Sequence, residues 1–207
     1  MSDTTSSRTL HLWALCEDVV VDNEDDNSIV LAGRFGTERI GGTDRIVREV
    51  LRRMELGPVL PENAWAPPGR SWPVTTGAAP RLSSALARLS HMVVRTLGLD
   101  DLRGPLLSVT PTAADATFQL GRVPGERRMR LSPDSSMVLG AAGIVLASPG
   151  AKHEVVLHRP EAAWVVAMLA WPVTADAVAA VLPLPRTVVY DVLGYLAAAG
   201  MAVPADG

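Results

Sequence analysis

The chain has 207 residues, 48% of them hydrophobic and 20% charged, and a net charge of −3. Such a composition supports a packed core and excludes wholesale disorder, while the acidic balance argues against bulk nucleic-acid affinity, which depends on dense Lys and Arg. The longest apolar stretches, near 162–170 and 188–203, are broken by Pro, Gly or polar residues and fall short of the roughly 20 residues that a membrane span needs. The polar start, Met-Ser-Asp-Thr-Thr-Ser-Ser-Arg, lacks the apolar centre of a signal peptide. With one cysteine, Cys16, no internal disulfide can form. These features predict a cytoplasmic protein.

In chain order, residues 1–8 read as a flexible tail. Leu10–Leu15, Asp18–Val21 and Ile29–Ala32 read as short strands, with an acidic turn over Asp22–Asn27. Thr43 is an N-cap candidate for a helix over Thr43–Leu56 that Gly57-Pro58 ends. Its apolar side holds Ile46, Val47, Val50, Leu51 and Met54, and its other side Arg45, Arg48, Arg52 and Arg53. Residues 58–80 hold six of the sixteen prolines, with Trp65 and Trp72, and read as an insertion. Leu82, Leu86, Leu89, Val93 and Leu97 then repeat at helical spacing before Gly98.

Residues 100–136 read as a linker with one strand near Arg103–Pro111. Met137–Leu139, Gly143–Ala147 and Val155–Leu157 read as strands, followed by a helix from Glu161. Thr174 is the N-cap candidate of a short helix, Pro185 suits the first turn of the last one, and Gly200 its C-terminal stop. The order of strands, helix, break, helix and glycine stop thus occurs twice. It predicts an α+β protein of two tandem winged-helix-like modules, 9–99 and 137–207, each a small antiparallel sheet plus about three helices.

Chemistry-bearing residues are sparse. His11, His91, His153 and His158 lack the companions of a zinc site, and are expected to be exposed or hydrogen-bonded. Cys16 lies next to Glu17 and Asp18, which disfavour its thiolate, so it is expected to be a small core residue or strand-end thiol. Gly33-Arg-Phe-Gly36 and Gly140-Ala-Ala-Gly143 are turns rather than a dinucleotide fingerprint. No catalytic, cofactor-binding or metal residue is assigned. Two features could meet a partner. Arg45, Arg48 and Arg52 align on one helix face, either as a solvated face or as an anion or acidic-peptide contact. Each module also offers a sheet edge to which an extended peptide could add as a strand, unless the chain itself fills it.

The stretches Val-Leu-Gly-Ala-Ala-Gly-Ile-Val-Leu-Ala-Ser-Pro, Val-Val-Leu-His-Arg-Pro-Glu-Ala-Ala and Leu-Pro-Leu-Pro-Arg-Thr-Val-Val-Tyr-Asp-Val-Leu-Gly-Tyr-Leu-Ala-Ala-Ala-Gly-Met, all within 137–203, resemble the N-terminal region of SagB-type azoline dehydrogenases. The first module and Gly-Pro-Leu-Leu-Ser-Val-Thr-Pro fit the same region. The resemblance implies paired PqqD-like modules that recognise precursor peptides ahead of a flavin-binding nitroreductase domain, in a family that makes azole-containing ribosomal peptides such as thiopeptides. The chain ends at Gly207, where that domain would begin. The expectation is therefore a split system: a non-catalytic binding subunit with no cofactor of its own, any FMN belonging to a partner dehydrogenase or other peptide-modifying enzyme. A precursor (leader) peptide is the other expected partner. Arg45, Arg48, Arg52, Trp164, Trp171, Val188 and Tyr190 are the expected partner-binding residues, Trp164 and Trp171 having core packing as their competing reading. The alternative is a winged-helix transcriptional regulator, whose last helix would offer Arg186, Thr187, Tyr190 and Asp191 to DNA. The mostly apolar positions that follow them make a poor recognition helix.

Overall fold

The computed structural model describes residues 8–25, 28–42, 45–60 and 84–205. The chain is of the α+β class, with small antiparallel sheets accompanied by helices. It divides into two compact units. The smaller comprises residues within 11–95 together with 110–117, and the larger residues 8–10, 96–109 and 118–205. Each has its own apolar core.

In the smaller unit, β2 (Val20–Asp25), β3 (Ser28–Gly33) and β4 (Gly36–Gly41) form an antiparallel meander. Ile29 and Leu31 point from β3 into the core and are fully buried. Helix α1 (Arg45–Leu56) adds Val47, Val50, Leu51 and Met54. The expected N-cap Thr43 and all but the first residues of the expected 58–80 insertion, with Trp65 and Trp72, lie outside the described residues. The helix expected over 82–97 is corrected. Residues 84–88 of helix α2 are helical, Ser90–Met92 form a 3₁₀ turn, and Val93–Leu99 is strand β5. Leu86, Leu89, Val93 and Leu97 are all buried, so their spacing imitated one helix face. A strand covered on both sides shows no alternation, and β-branched Val93, Val94 and Thr96 favour it. Strand β4 carries no apolar pattern in the sequence, because Ile40 is its only buried residue.

A six-stranded sheet has the order β1-β5-β6-β10-β9-β8. Its strands are β1 (Thr9–Leu15), β5, β6 (Pro105–Pro111), β8 (Ser136–Gly140), β9 (Gly143–Ala147) and β10 (His153–Leu157). Strands β1, β5 and β6 each have residues in both units. A second sheet has β7 (Arg128–Leu131) between β11 (Val173–Thr174) and β12 (Ala202–Pro204). Helices α3 (Pro160–Met168), α4 (Ala175–Val181) and α5 (Arg186–Ala198) complete the larger unit. Residues 100–136 are thus more than a linker, since β6 and β7 belong to the sheets.

The helix ends follow the local sequence. Thr174 Oγ1 accepts a hydrogen bond from the Ala177 N–H at 3.2 Å, as an N-cap should. After α5, Gly200 takes φ +77°, the Met201 N–H donates to the Leu196 carbonyl and the Gly200 N–H to that of Ala197, which is a Schellman stop. Helix α5 buries Val188, Val189, Val192, Leu193, Tyr195 and Leu196. The Tyr195 ring packs 5.3 Å from Phe118, and its hydroxyl donates to the Thr96 carbonyl.

The expected repetition holds only for a meander followed by a helix, β2-β3-β4-α1 and β8-β9-β10-α3. Beyond that point α3 leads to β11, α4, α5 and β12, whereas the described residues after α1 lead to α2, the 3₁₀ turn and β5. Among the described residues, no helix is long and apolar enough to cross a membrane.

Candidate functional site

The arginine face of α1 is only partly as expected. Arg45 and Arg52 are exposed, but Arg48 is half-buried and one of its terminal nitrogens is enclosed without a hydrogen-bond partner. Arg53 pairs with Glu49 at 2.8 Å along the helix. The four arginines therefore do not form one uniform cationic stripe.

The larger unit brings more together. On α3, Glu161, Ala162, Val165 and Val166 turn inward, which puts Trp164 on the outer side. Trp164 is 43% exposed, and Trp171, just beyond the helix, is 72% exposed. The competing reading of both tryptophans as core residues is thereby excluded. Val188 is corrected: it is completely buried in the core, because it continues the inward stripe of α5, and it cannot touch a partner.

Tyr190 is half-buried in a polar network. Its hydroxyl donates to Asp176 Oδ1 and accepts from the Arg186 guanidinium at 2.9 Å, and Arg186 also pairs with Asp176. The hydrogen bond to Asp176 raises the Tyr190 pKa above the ordinary phenol value, because it favours the protonated phenol. An open groove of about 530 Å³ adjoins this network, with Thr9, Arg122, Glu126, Thr187 and Asp191 on its walls. It mixes both signs of charge. Arg186 and Tyr190, the side chains that a DNA-reading helix would present, are engaged with Asp176. Gly125 seats the neighbouring loop: a Cβ there would lie 2.5 Å from the Tyr190 hydroxyl and 2.7 Å from Asp176. Gly125→Ala is therefore expected to cost about 1–3 kcal/mol. It should also bring the Tyr190 titration down toward the ordinary phenol range, read by phenolate absorbance and thermal melting.

A second cluster fixes the start of α3. The buried Arg159 guanidinium meets Asp101 at 2.9 Å and Glu161 at 2.6 Å. The hydrogen bond from Arg159 holds Glu161 below its usual pKa against the opposing effect of burial. Burial also works to raise Asp101, but hydrogen bonds from the Arg103 N–H and from Arg159 overcome it, so its pKa is lowered.

Sequence spacing did not reveal the contact between Ser108 and His158, fifty residues apart. Ser108 Oγ lies 2.8 Å from His158 Nε2, and Nδ1 lies 3.0 Å from the Ala142 carbonyl. The carbonyl requires a proton on Nδ1, so a neutral ring accepts from the serine through Nε2. Acyl transfer would also need donors for an oxyanion. These contacts join β6, the end of β10 and the β8–β9 turn, and act as a cross-link. His153 is buried beside Phe118, with ring centroids 5.9 Å apart. Cys16 is buried in the smaller unit, and burial pushes its thiol up to about 11, which suits a core residue rather than a nucleophile. Among the described residues, no group of three or more His, Cys, Asp or Glu side chains is arranged to hold a metal ion.

In the second meander the strand-addition edge expected at the third strand is filled. Strand β10, the third strand of the 137–157 meander, has β9 on one side and β6 on the other, so the chain itself occupies the place an added peptide would take. No protein-family model matches the chain, and no curated protein matches it.

Proposed function

We propose that this protein is a non-catalytic binding subunit in the maturation of azole-containing ribosomal peptides, and that its main partner is a separate flavin-dependent azoline dehydrogenase. The observation that carries the binding role is the exposure of Trp164 and Trp171 on and beside one helix. Contiguous exposed apolar surface marks partner sites, and tryptophan is prominent among the residues that dominate binding energy. The nature of the partner rests on the resemblance of residues 137–203 to the N-terminal region of azoline dehydrogenases. FMN would belong to the partner.

Co-expression with a flavin-dependent azoline dehydrogenase tests the proposal. The two chains are expected to co-elute on size exclusion, and azoline oxidation is expected to fall when this chain is omitted. Separate elution together with unchanged oxidation would reject it. The double variant Trp164→Ser, Trp171→Ser is expected to keep its circular dichroism, since both side chains are exposed, and to weaken the complex at least about 30-fold, the equivalent of one strong hot spot.

A further inference from the structure

Strand β8 is unusual for the outer strand of a sheet. All five of its residues are exposed, including Met137 at 54%, Val138 at 61% and Leu139 at 83%. It ends the strand order, and among the described residues nothing pairs with its outer side. Open edges normally carry lysine, proline, a bulge or inward charge to block pairing with another chain. Here no ionisable side chain occurs between Asp134 and Lys152, and the register with β9 runs without a break from Ser136↔Ala147 to Gly140↔Gly143.

The edge also complements itself. Gly140 and Gly143 flank a two-residue loop, so they form the hydrogen-bonded pair that closes such a hairpin. By the alternation of an antiparallel ladder, Met137 and Leu139 then turn their backbone N–H and C=O groups outward. A two-fold axis at Val138 would set Met137 opposite Leu139 of a second copy, Val138 opposite itself and Ser136 opposite Gly140. Apolar side chains would face apolar ones, and small residues would flank them. The neutrality of the edge means that two copies meet without like charges, despite the chain's net −3.

We propose that β8 is a self-association edge, and that two copies of this chain join through antiparallel β8–β8 pairing about Val138, continuing the sheet across the dimer. A surface that contacts its own equivalent closes the assembly at two. The proposal does not depend on the dehydrogenase reading, because it concerns the isolated protein and residues other than Trp164 and Trp171.

Sedimentation velocity and light scattering on the purified full chain, with and without Val138→Lys, test it. The wild type is expected at twice the chain mass at micromolar concentrations. Val138→Lys, which puts two ammonium groups face to face, is expected at the monomer mass with unchanged circular dichroism. Val138→Cys adds an independent reading. In a non-hydrogen-bonded antiparallel pair the Cα atoms approach to about 4.5 Å, within disulfide reach, so mild oxidation should give a covalent dimer. The buried Cys16 should leave the wild type uncrosslinked. A wild-type monomer, an open-ended aggregate, a dimer that survives Val138→Lys, or failure of Val138→Cys to crosslink would each overturn the proposal. So would crosslinking of Val138→Cys to an added dehydrogenase in place of its own copy, which would assign the edge to the enzyme.

Discussion

Tyr195→Ala is expected to lower the unfolding free energy by about 4 kcal/mol, within the range for truncating a buried aromatic ring. Tyr195 is among the largest fully buried side chains, on the inward stripe of α5, with Phe118 tilted against its ring. Removing the ring leaves a cavity bounded by rigid neighbours, and also strips the Thr96 carbonyl of the phenol hydrogen bond. Tyr195→Phe keeps the ring and loses the hydroxyl with its hydrogen bond to Thr96, so its cost should be about 1 kcal/mol. Urea denaturation of the three proteins distinguishes the two contributions. Equal costs for both variants would mean that the hydroxyl, rather than packing, dominates.

Arg159→Met is expected to cost about 3 kcal/mol. Removing one partner of a buried ion pair leaves the other charge uncompensated, which is worth more than the intact pair adds. Here two carboxylates, Asp101 and Glu161, lose their shared cation. The loss should depend on pH. Both carboxyls have pKa values below their usual 3.8 and 4.5. The stability they contribute is therefore fully present above those unfolded values, and is lost as pH falls through the lower folded values. The wild type should lose stability steadily below about pH 4.5, while Arg159→Met should show a shallower loss over the same range. Parallel pH profiles would show that the cluster does not couple folding to protonation.

The sequence discloses some of this well and some not at all. The 137–157 meander, the Thr174 cap and the Gly200 stop are local devices: short apolar runs set off by turn residues, a side chain that bonds its own helix, and a residue tolerant of positive φ. They can be read without knowing the tertiary structure. Residues 93–99 mislead because a strand buried on both faces presents the same continuous apolar run as a buried helix, and Leu82, Leu86 and Leu89 supply a helical phase just before it. Val188 misleads similarly. It lies next to polar Thr187 near the start of α5, yet the core takes it. The Arg159 cluster, the Ser108–His158 contact and the occupation of the β10 edge by β6 depend on pairings across the fold that no local pattern reports. Trp164 and Trp171 left core and surface equally open in the sequence; the inward stripe of α3 decides for Trp164, and Trp171, beyond the end of α3, is exposed.

The most direct test of the binding role is a titration of purified flavin-dependent azoline dehydrogenase with this protein, followed by isothermal calorimetry, for the wild type and for the Trp164→Ser, Trp171→Ser double variant. The account predicts saturable binding for the wild type and at least about 30-fold weaker binding for a variant that remains folded. Absence of wild-type binding, or equal affinity of the two proteins, would contradict it.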